Sequence, residues 1–525
     1  MIITMAKQRR MRTAIGSLPR LLPLAAALLA VAPASQAQWT FTPMVDLSET
    51  YTDNVSLRND DLASNQWVTE LRPGFTLSGK TRRTEAYATA EFSKFHYSNK
   101  DDRLNLTDSV RRYSAMMKNT IAQDLLYVDF TAGSRRQAIL PFGPGAENRF
   151  SRANQTDVRS WGVSPYLVRR FGAGTTALLR LSRDSVESSG NSAFGSSMGS
   201  TVLFNLAHGV PGQAFSWGLN YVDQQLNNEL VGESSSKLLS ATMRYQFTRT
   251  LAGTASAGYD RYDFEGPGPD EKGHNWSLGA VWAPTLRSSV QASFGRHLYG
   301  NTGSLAALHR SRGSVWEIRY ADTITSRRSQ FLLPATVDTA SLLDRLFSTN
   351  IPDPVMRQRA IQAYMLDNGL PASLVDNINF LSNRYARQKV LSASLAFNRA
   401  RSTGVASLYR GESIALSDQR SDSPLLGTQL GTLNDNVRMS GANLLYTYRL
   451  NGRSNAFAKA DYRYRESMTT GFEDRQRLLS AGVNRRFGRN LQGELELRRR
   501  SGGGDIIGRT DYTEHALVAS VNMQF

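Results

Sequence analysis

Cysteine is absent from all 525 residues, which excludes disulfide cross-links, thiolate nucleophiles and cysteine-based metal sites. Long apolar runs are missing too. Beyond residue 37 no stretch approaches the roughly 18–20 apolar residues of a membrane-spanning helix. If the chain enters a membrane, only a closed β-barrel can then satisfy its backbone groups. Lysine is scarce: of 62 basic residues 53 are arginine and 9 lysine. Arginine grips carboxylate and phosphate through a planar fork. Two explanations of this bias stand side by side, anionic partners such as lipid A phosphates or acidic sugars, and an arginine-rich, high-GC genome.

The first 37 residues read as a cleaved signal peptide. Lys7, Arg9, Arg10 and Arg12 make a basic start, Leu21 to Ala32 an apolar centre, and Ser35-Gln36-Ala37 a small-x-small cleavage site. The apolar centre is 12 residues long and is bracketed or interrupted by Pro19 and Pro23, too short to span a bilayer.

From Trp39 onward one unit recurs: about ten residues alternating apolar and polar, a short turn, a second such segment, then a longer polar loop. In NLQGELELR, Leu491, Leu495 and Leu497 share one face while Gln492, Glu494, Glu496 and Arg498 share the other. LLSATMRYQF sets Leu239, Ala241, Met243 and Tyr245 against Ser240, Thr242, Arg244 and Gln246, and AFAKADYRYR repeats the pattern. Charged inner faces behind aliphatic outer ones suit a wet lumen inside a lipid-facing wall. A soluble β-sandwich also alternates, but about 21 such segments without continuous core strands would need a second covering layer. Tight connections at 80–83, 171–174, 210–213, 247–250, 449–453 and 487–490 contrast with long Gly-, Pro- and Asp-rich loops, as between periplasmic turns and external loops. The chain closes on LVASVNMQF, an amphipathic strand ending in Phe525. It resembles the terminal strand that Gram-negative barrel-assembly machinery recognises.

Residues 336–383 interrupt the rhythm with helical signals, among them Asp353-Pro354 as N-cap and first helical position and Gly369 and Pro371 as a stop. With the turns above, residues 313–326 and 387–400 both run towards the periplasm, which consecutive antiparallel strands cannot do. Either one strand is uncounted, SRRSQFLL at 326–333 being the candidate, or the insert crosses the lumen as a plug. A plain helical cap on a loop is the third reading.

The start of the mature chain, WTFTPMVDLSETYTDNVSL, resembles the outer-membrane protein family associated with the PEP-CTERM sorting system. The match is carried by Pro43, Glu49, Tyr51, Asp53, Asn54, Val55 and Leu57, and in the insert by VDTASLLDRLF, IPDP with Arg357, GLP at 369–371 and FLS at 380–382. The resemblance implies a barrel linked to extracellular polysaccharide and sorted surface proteins. It implies no catalytic residues.

Little else carries chemistry. Six scattered histidines, His96, His208, His274, His297, His309 and His515, form neither a zinc motif nor a nucleophile elbow. Asp53, Asn54, Asp60 and Asp61 have calcium-ligand chemistry, against the plainer reading of solvated loop carboxylates. No catalytic, cofactor-binding or metal residues are therefore assigned, and no cofactor is expected. Arg244, Arg463, Arg465, Arg485 and Arg498 are expected to line the lumen, where basic rings favour anions; interleaved Asp461, Glu494 and Glu496 leave a salt-bridged structural wall as the alternative. The sequence thus predicts an all-β fold: residues 38–525 form one transmembrane antiparallel barrel of about 20–22 strands with a helical insert at 336–383. The expected location is the Gram-negative outer membrane. Expected partners are outer-membrane lipids and lipopolysaccharide, the barrel-assembly machinery, and exopolysaccharide or periplasmic export proteins, with no nucleic acid. Polysaccharide export or a porin-like pore leads, a non-conducting docking barrel follows, and a lipid-modifying barrel enzyme comes last.

Overall fold

The structure is a computed structural model. It describes residues 38–525 apart from 100, 140–141, 144–147, 189–194, 211, 230–231, 265–270, 327–342, 345–360, 362–384, 417–435 and 505–510. The leader 1–37 lies outside the described residues.

Alternation along each segment produces 22 strands. They are β1 (Gln38–Thr52), β2 (Gln66–Lys80), β3 (Thr84–Tyr97), β4 (Ser109–Ala122), β5 (Leu126–Ala138), β6 (Gln155–Phe171), β7 (Thr175–Ser188) and β8 (Ser196–His208). Next come β9 (Phe215–Asn228), β10 (Gly232–Gln246), β11 (Leu251–Phe264), β12 (Glu271–Thr285), β13 (Ser288–His297), β14 (Gly300–Arg310) and β15 (Ser314–Ser326). The rest are β16 (Tyr385–Asn398), β17 (Ser402–Ala415), β18 (Asn436–Arg449), β19 (Ser454–Ser467), β20 (Glu473–Arg486), β21 (Leu491–Gly504) and β22 (Tyr512–Gln524).

Each strand pairs antiparallel with its sequence neighbours, and β1 pairs with β22 from Met44↔Gln524 to Thr52↔Ala516, so the sheet closes without an edge. The turns read as periplasmic all fall at one end, together with both ends of the described chain; the long connections fall at the other. By the length rule for outer-membrane barrels the first end is periplasmic and the second external.

The parity conflict disappears. β15 runs away from the periplasmic turn 311–313, β16 returns, and they pair directly from Ser314↔Phe397 to Ser326↔Tyr385. One strand is uncounted between the turn at 247–250 and β15, where β13 and β14 are only 10 and 11 residues long and are joined by a two-residue external turn. SRRSQFLL lies outside the described residues except for Ser326, the last residue of β15. The insert therefore leaves and rejoins the barrel on the external side. Of residues 336–383, only Leu343, Asp344 and Ile361 are described; they are helical, and Leu343 and Ile361 are buried.

Outward faces carry the membrane belt. Leu479, Leu495, Leu497, Leu517, Val521 and Met523 are all well exposed, the reverse of a soluble protein and what lipid contact requires. Aromatic side chains gather in two girdles. Phe41 against Phe75, Phe171, Phe247, Trp282 and Phe487 sit near the periplasmic turns, and Tyr51 against Trp67, Phe92 and Trp276 against Phe294 sit towards the external rim. Their amphipathic rings suit headgroup depth. On the lumen side, Tyr409 lies where a Cβ on Gly441 would stand, and Tyr512 does the same at Gly502. The missing side chains let rings from the neighbouring strands lie flat on the inner wall, which recovers packing that glycine alone would forfeit.

Candidate functional site: the barrel lumen

The inner wall beneath the external rim is densely charged. On β2, Glu70 is 1% exposed. Arg149 Nη1 approaches its carboxylate to 3.3 Å, and Ser48 Oγ donates to it at 3.5 Å. Arg72 bonds Asp46 at 2.8 Å and lies 4.0 Å from Glu70. Two strands further round, Glu514 receives Arg498 at 3.3 Å, Arg500 at 3.5 Å and the Thr52 hydroxyl at 2.9 Å. On β19, Arg463 pairs with Asp461 at 2.8 Å, and Arg465 reaches Asp474 of β20 at 3.7 Å. Each of these charges has an opposite charge within reach, in a wall that water only partly reaches.

Described residues of the connection 139–154 reach the inner wall of the barrel. Its Arg149 meets Glu70 on β2, while Gly143 O accepts from Gln476 Nε2 on β20 at 2.5 Å, with β1, β22 and β21 lying between those strands. Phe150 anchors it. The ring stands edge-on to Phe95 at 5.9 Å within an apolar cluster that includes Val55, Val68, Leu106 and Val110. Thr107 N donates to Phe150 O and Arg152 N to Asn105 O, so the connections 98–108 and 139–154 are laced together. Burial pulls the Arg149 guanidinium below its ordinary pKa, and Glu70 opposes that shift.

The periplasmic mouth is different. A recess of about 370 Å³ there is lined by Arg399, Arg401, Arg449, Arg453 and Arg486 with Asn455, Asn484 and Gln492, and by no carboxylate. Five cationic groups without an acidic residue in the lining make an anion-attracting vestibule.

Four of the arginines expected in the lumen are there. Arg244 shares the inner face of β10 and donates to Gln246 Oε1 at 3.1 Å, and Arg463, Arg465 and Arg498 join the ion pairs above. Arg485 is a correction. Strand parity puts Asn484 and Arg486 inside and Arg485 outside, where its guanidinium lies 5.9 Å from the exposed Phe487 ring at the periplasmic interface. Adjacent arginines 485 and 486 cannot share a face of one strand. Arg449 and Arg486 went unnoticed because strand ends abut turn residues and the alternation loses its frame there.

The residues that carry the N-terminal resemblance lie at or beside the seam between β1 and β22. Pro43 O accepts from Phe525 N at 2.9 Å, and Tyr51 packs on Trp67 at 5.1 Å. Asp53 accepts from the His515 backbone N–H at 2.7 Å and lies 2.9 Å from its ring nitrogen. Asn54, fully buried, donates to Arg58 O and Thr513 O and accepts from Arg58 N, and Val55 enters the apolar cluster. Asp60 accepts from Thr513 N at 2.8 Å. Asp53 and Asp60, two of the carboxylates weighed as calcium ligands, thus bond β22, and no group of three or more metal-ligating side chains occurs among the described residues. His208 and His309 lie 2.9 Å from the hydroxyls of Thr175 and Ser288. Neither has a carboxylate partner among the described residues.

A closed 22-strand barrel with an outward apolar belt, two aromatic girdles and a polar lumen is a large outer-membrane β-barrel, set among outer-membrane lipid and lipopolysaccharide and of a build consistent with transport. No protein-family model and no curated protein matches the chain. Among solved structures it is similar to the siderophore receptor PirA from Pseudomonas aeruginosa, at 12% identity over 94% of this chain and 81% of that one, with a TM-score of 0.38. It is also similar to the ferric enterobactin receptor PfeA, at 11% identity over 94% and 82%, with a TM-score of 0.47. Another is the ferric-catecholate import receptor Fiu from E. coli, at 11% over 92% and 81%, with a TM-score of 0.46. At such identities the likeness concerns barrel architecture alone.

Proposed function

We propose that the barrel passes an acidic exopolysaccharide across the outer membrane, within a polysaccharide and protein-sorting system of the PEP-CTERM kind. The observation that carries this reading is the vestibule of five arginines at the periplasmic mouth, where an exported polymer would enter. Rings of arginine concentrate anions by long-range attraction and release them because each contact remains hydrated. The family resemblance of the mature N-terminus and the insert supports the same assignment. Further up, the paired charges of Glu70, Glu514 and their arginines offer a polar but nearly neutral wall, along which a sugar chain can exchange hydrogen bonds without being trapped. The connection 139–154 narrows this part and has to yield for passage.

Reconstitution in planar bilayers tests the reading. The barrel is expected to conduct with anion preference, and replacing Arg449, Arg453 and Arg486 together by Glu reverses that preference. A barrel that stays silent even after residues 140–149 are removed would overturn it. The tethering of Arg149, Gly143 and Phe150 favours a second reading, a closed barrel that anchors surface polymer or sorted proteins. Under that reading a deletion strain secretes normal amounts of polymer into the medium but keeps none at the surface.

A further inference from the structure

The lipid-facing side of β18–β22 departs from the even apolar belt. Ala458, Ala460 and Ala481 leave a groove of about 710 Å³ between Leu444 on one side and Leu479 and Leu497 on the other. Arg499 closes its external end: it stands opposite Leu479 on β20 and His515 on β22, two residues beyond Leu497 on the same face. Arg477, two residues beyond Leu479, lies diagonally across from it and 5.9 Å from the Tyr462 ring.

The acidic neighbours are already engaged. Arg475 pairs with Glu473 at 2.6 Å, His515 with Asp53 at 2.9 Å, and Glu49 accepts from Thr69 at 2.7 Å. Arg477 and Arg499 have no carboxylate partner among the described residues, yet both point outward where the aliphatic belt ends. A guanidinium facing lipid at that depth meets headgroups, and its fork matches phosphate oxygens. On the external side of a Gram-negative outer membrane those headgroups belong to phosphorylated, multiply acylated glycolipid. Apolar groove and basic rim are therefore stacked in the order in which such a lipid presents acyl chain and phosphate.

We propose that this face is a specific docking site for a phosphorylated glycolipid of the lipid A class, its phosphate held by Arg477 and Arg499 and one acyl chain lying in the groove over Ala458, Ala460 and Ala481. Binding here is independent of what crosses the lumen.

The test is a titration of the intact purified barrel, in detergent, with bisphosphorylated lipid A, fully dephosphorylated lipid A, phosphatidylglycerol and inorganic phosphate, read by native mass spectrometry. Bisphosphorylated lipid A is expected to bind at one copy per barrel, at least about tenfold tighter than either other lipid, as expected for losing a charge-assisted contact. Inorganic phosphate alone is expected to compete only weakly. In R477Q/R499Q that advantage disappears, while heat-modifiable gel migration reports an intact barrel; Ala481→Phe, which fills the groove, weakens all acylated ligands together. Equal affinity of the wild-type barrel for the phosphorylated and dephosphorylated forms overturns the proposal without any variant. So does equal affinity for phosphatidylglycerol, which marks general attraction for anionic lipid, or undiminished binding by R477Q/R499Q.

Discussion

At the scale of single residues, charge placement follows strand parity. Glu514 pairs with two arginines, 498 and 500, in a wall where it is 1% exposed. Breaking a buried ion pair leaves an uncompensated charge and costs about 3 kcal/mol. Glu514→Ala is therefore expected to lower the urea midpoint of the barrel refolded in lipid vesicles by an amount of that order. An unchanged midpoint would mean that water reaches Arg498 and Arg500 freely. Neighbouring Arg485 and Arg486 give a cleaner comparison, since one faces the lipid interface and the other the vestibule. Arg486→Glu is expected to weaken anion selectivity in bilayer recordings, and Arg485→Glu to leave it as it was. Outward arginines cost only about 0–1 kcal/mol at the interface, against 2–4 kcal/mol at mid-bilayer, so the position of Arg485 at the end of β20 is tolerated.

Among elements, the described residues of the connection 139–154 narrow the lumen beneath the external rim. Among its described residues the grip includes the Phe150 ring, the Arg149–Glu70 ion pair and the Gly143–Gln476 hydrogen bond, beside the backbone bonds to the connection 98–108. Truncating a buried phenylalanine costs about 3–5 kcal/mol where the cavity cannot collapse. The cost of Phe150→Ala should be borne mainly by this connection, because barrel strands retain their ladders on both sides. Single-channel recordings of that variant are expected to show longer or larger openings than wild type, with barrel folding on heat-modifiable gels unaffected. Recordings identical to wild type would mean that the connection holds without its anchor.

For the molecule as a whole, stability rests on closing a sheet whose first and last strands lie more than 450 residues apart in sequence. The seam pairs nine residues of β1 with β22, then adds the clasp of Asp53 and Asn54 at the external end and Phe525 to Pro43 at the periplasmic end. Asn54 is buried and its side chain makes three hydrogen bonds, so Asn54→Ala strands an acceptor at Thr513 and costs about 2 kcal/mol. The expected result is a smaller heat-modifiable fraction after assembly in cells; an unchanged fraction would show that ladder bonds alone close the seam. This gives the Tyr-Thr-Asp-Asn motif a structural purpose independent of cargo.

Much of this was legible in the sequence, because period-2 alternation needs only the local geometry of an extended chain and the demand for one wet and one oily face. The barrel class, most of the turns, the outward belt and four lumen arginines follow from that. Arg485 falls on the opposite face, and one strand before β15 goes uncounted, where strands end or shorten and the alternating frame slips by one residue. What only the tertiary structure decided depends on closure and on the register of neighbouring strands. Gln476 meets Gly143 across the closed seam, Arg149 of a distant connection meets Glu70, five arginines from adjacent strand ends converge at one mouth, and Arg499 lines a groove with Arg477 diagonally beside it. None of these follows from local spacing, since each depends on which strands lie side by side and in what register.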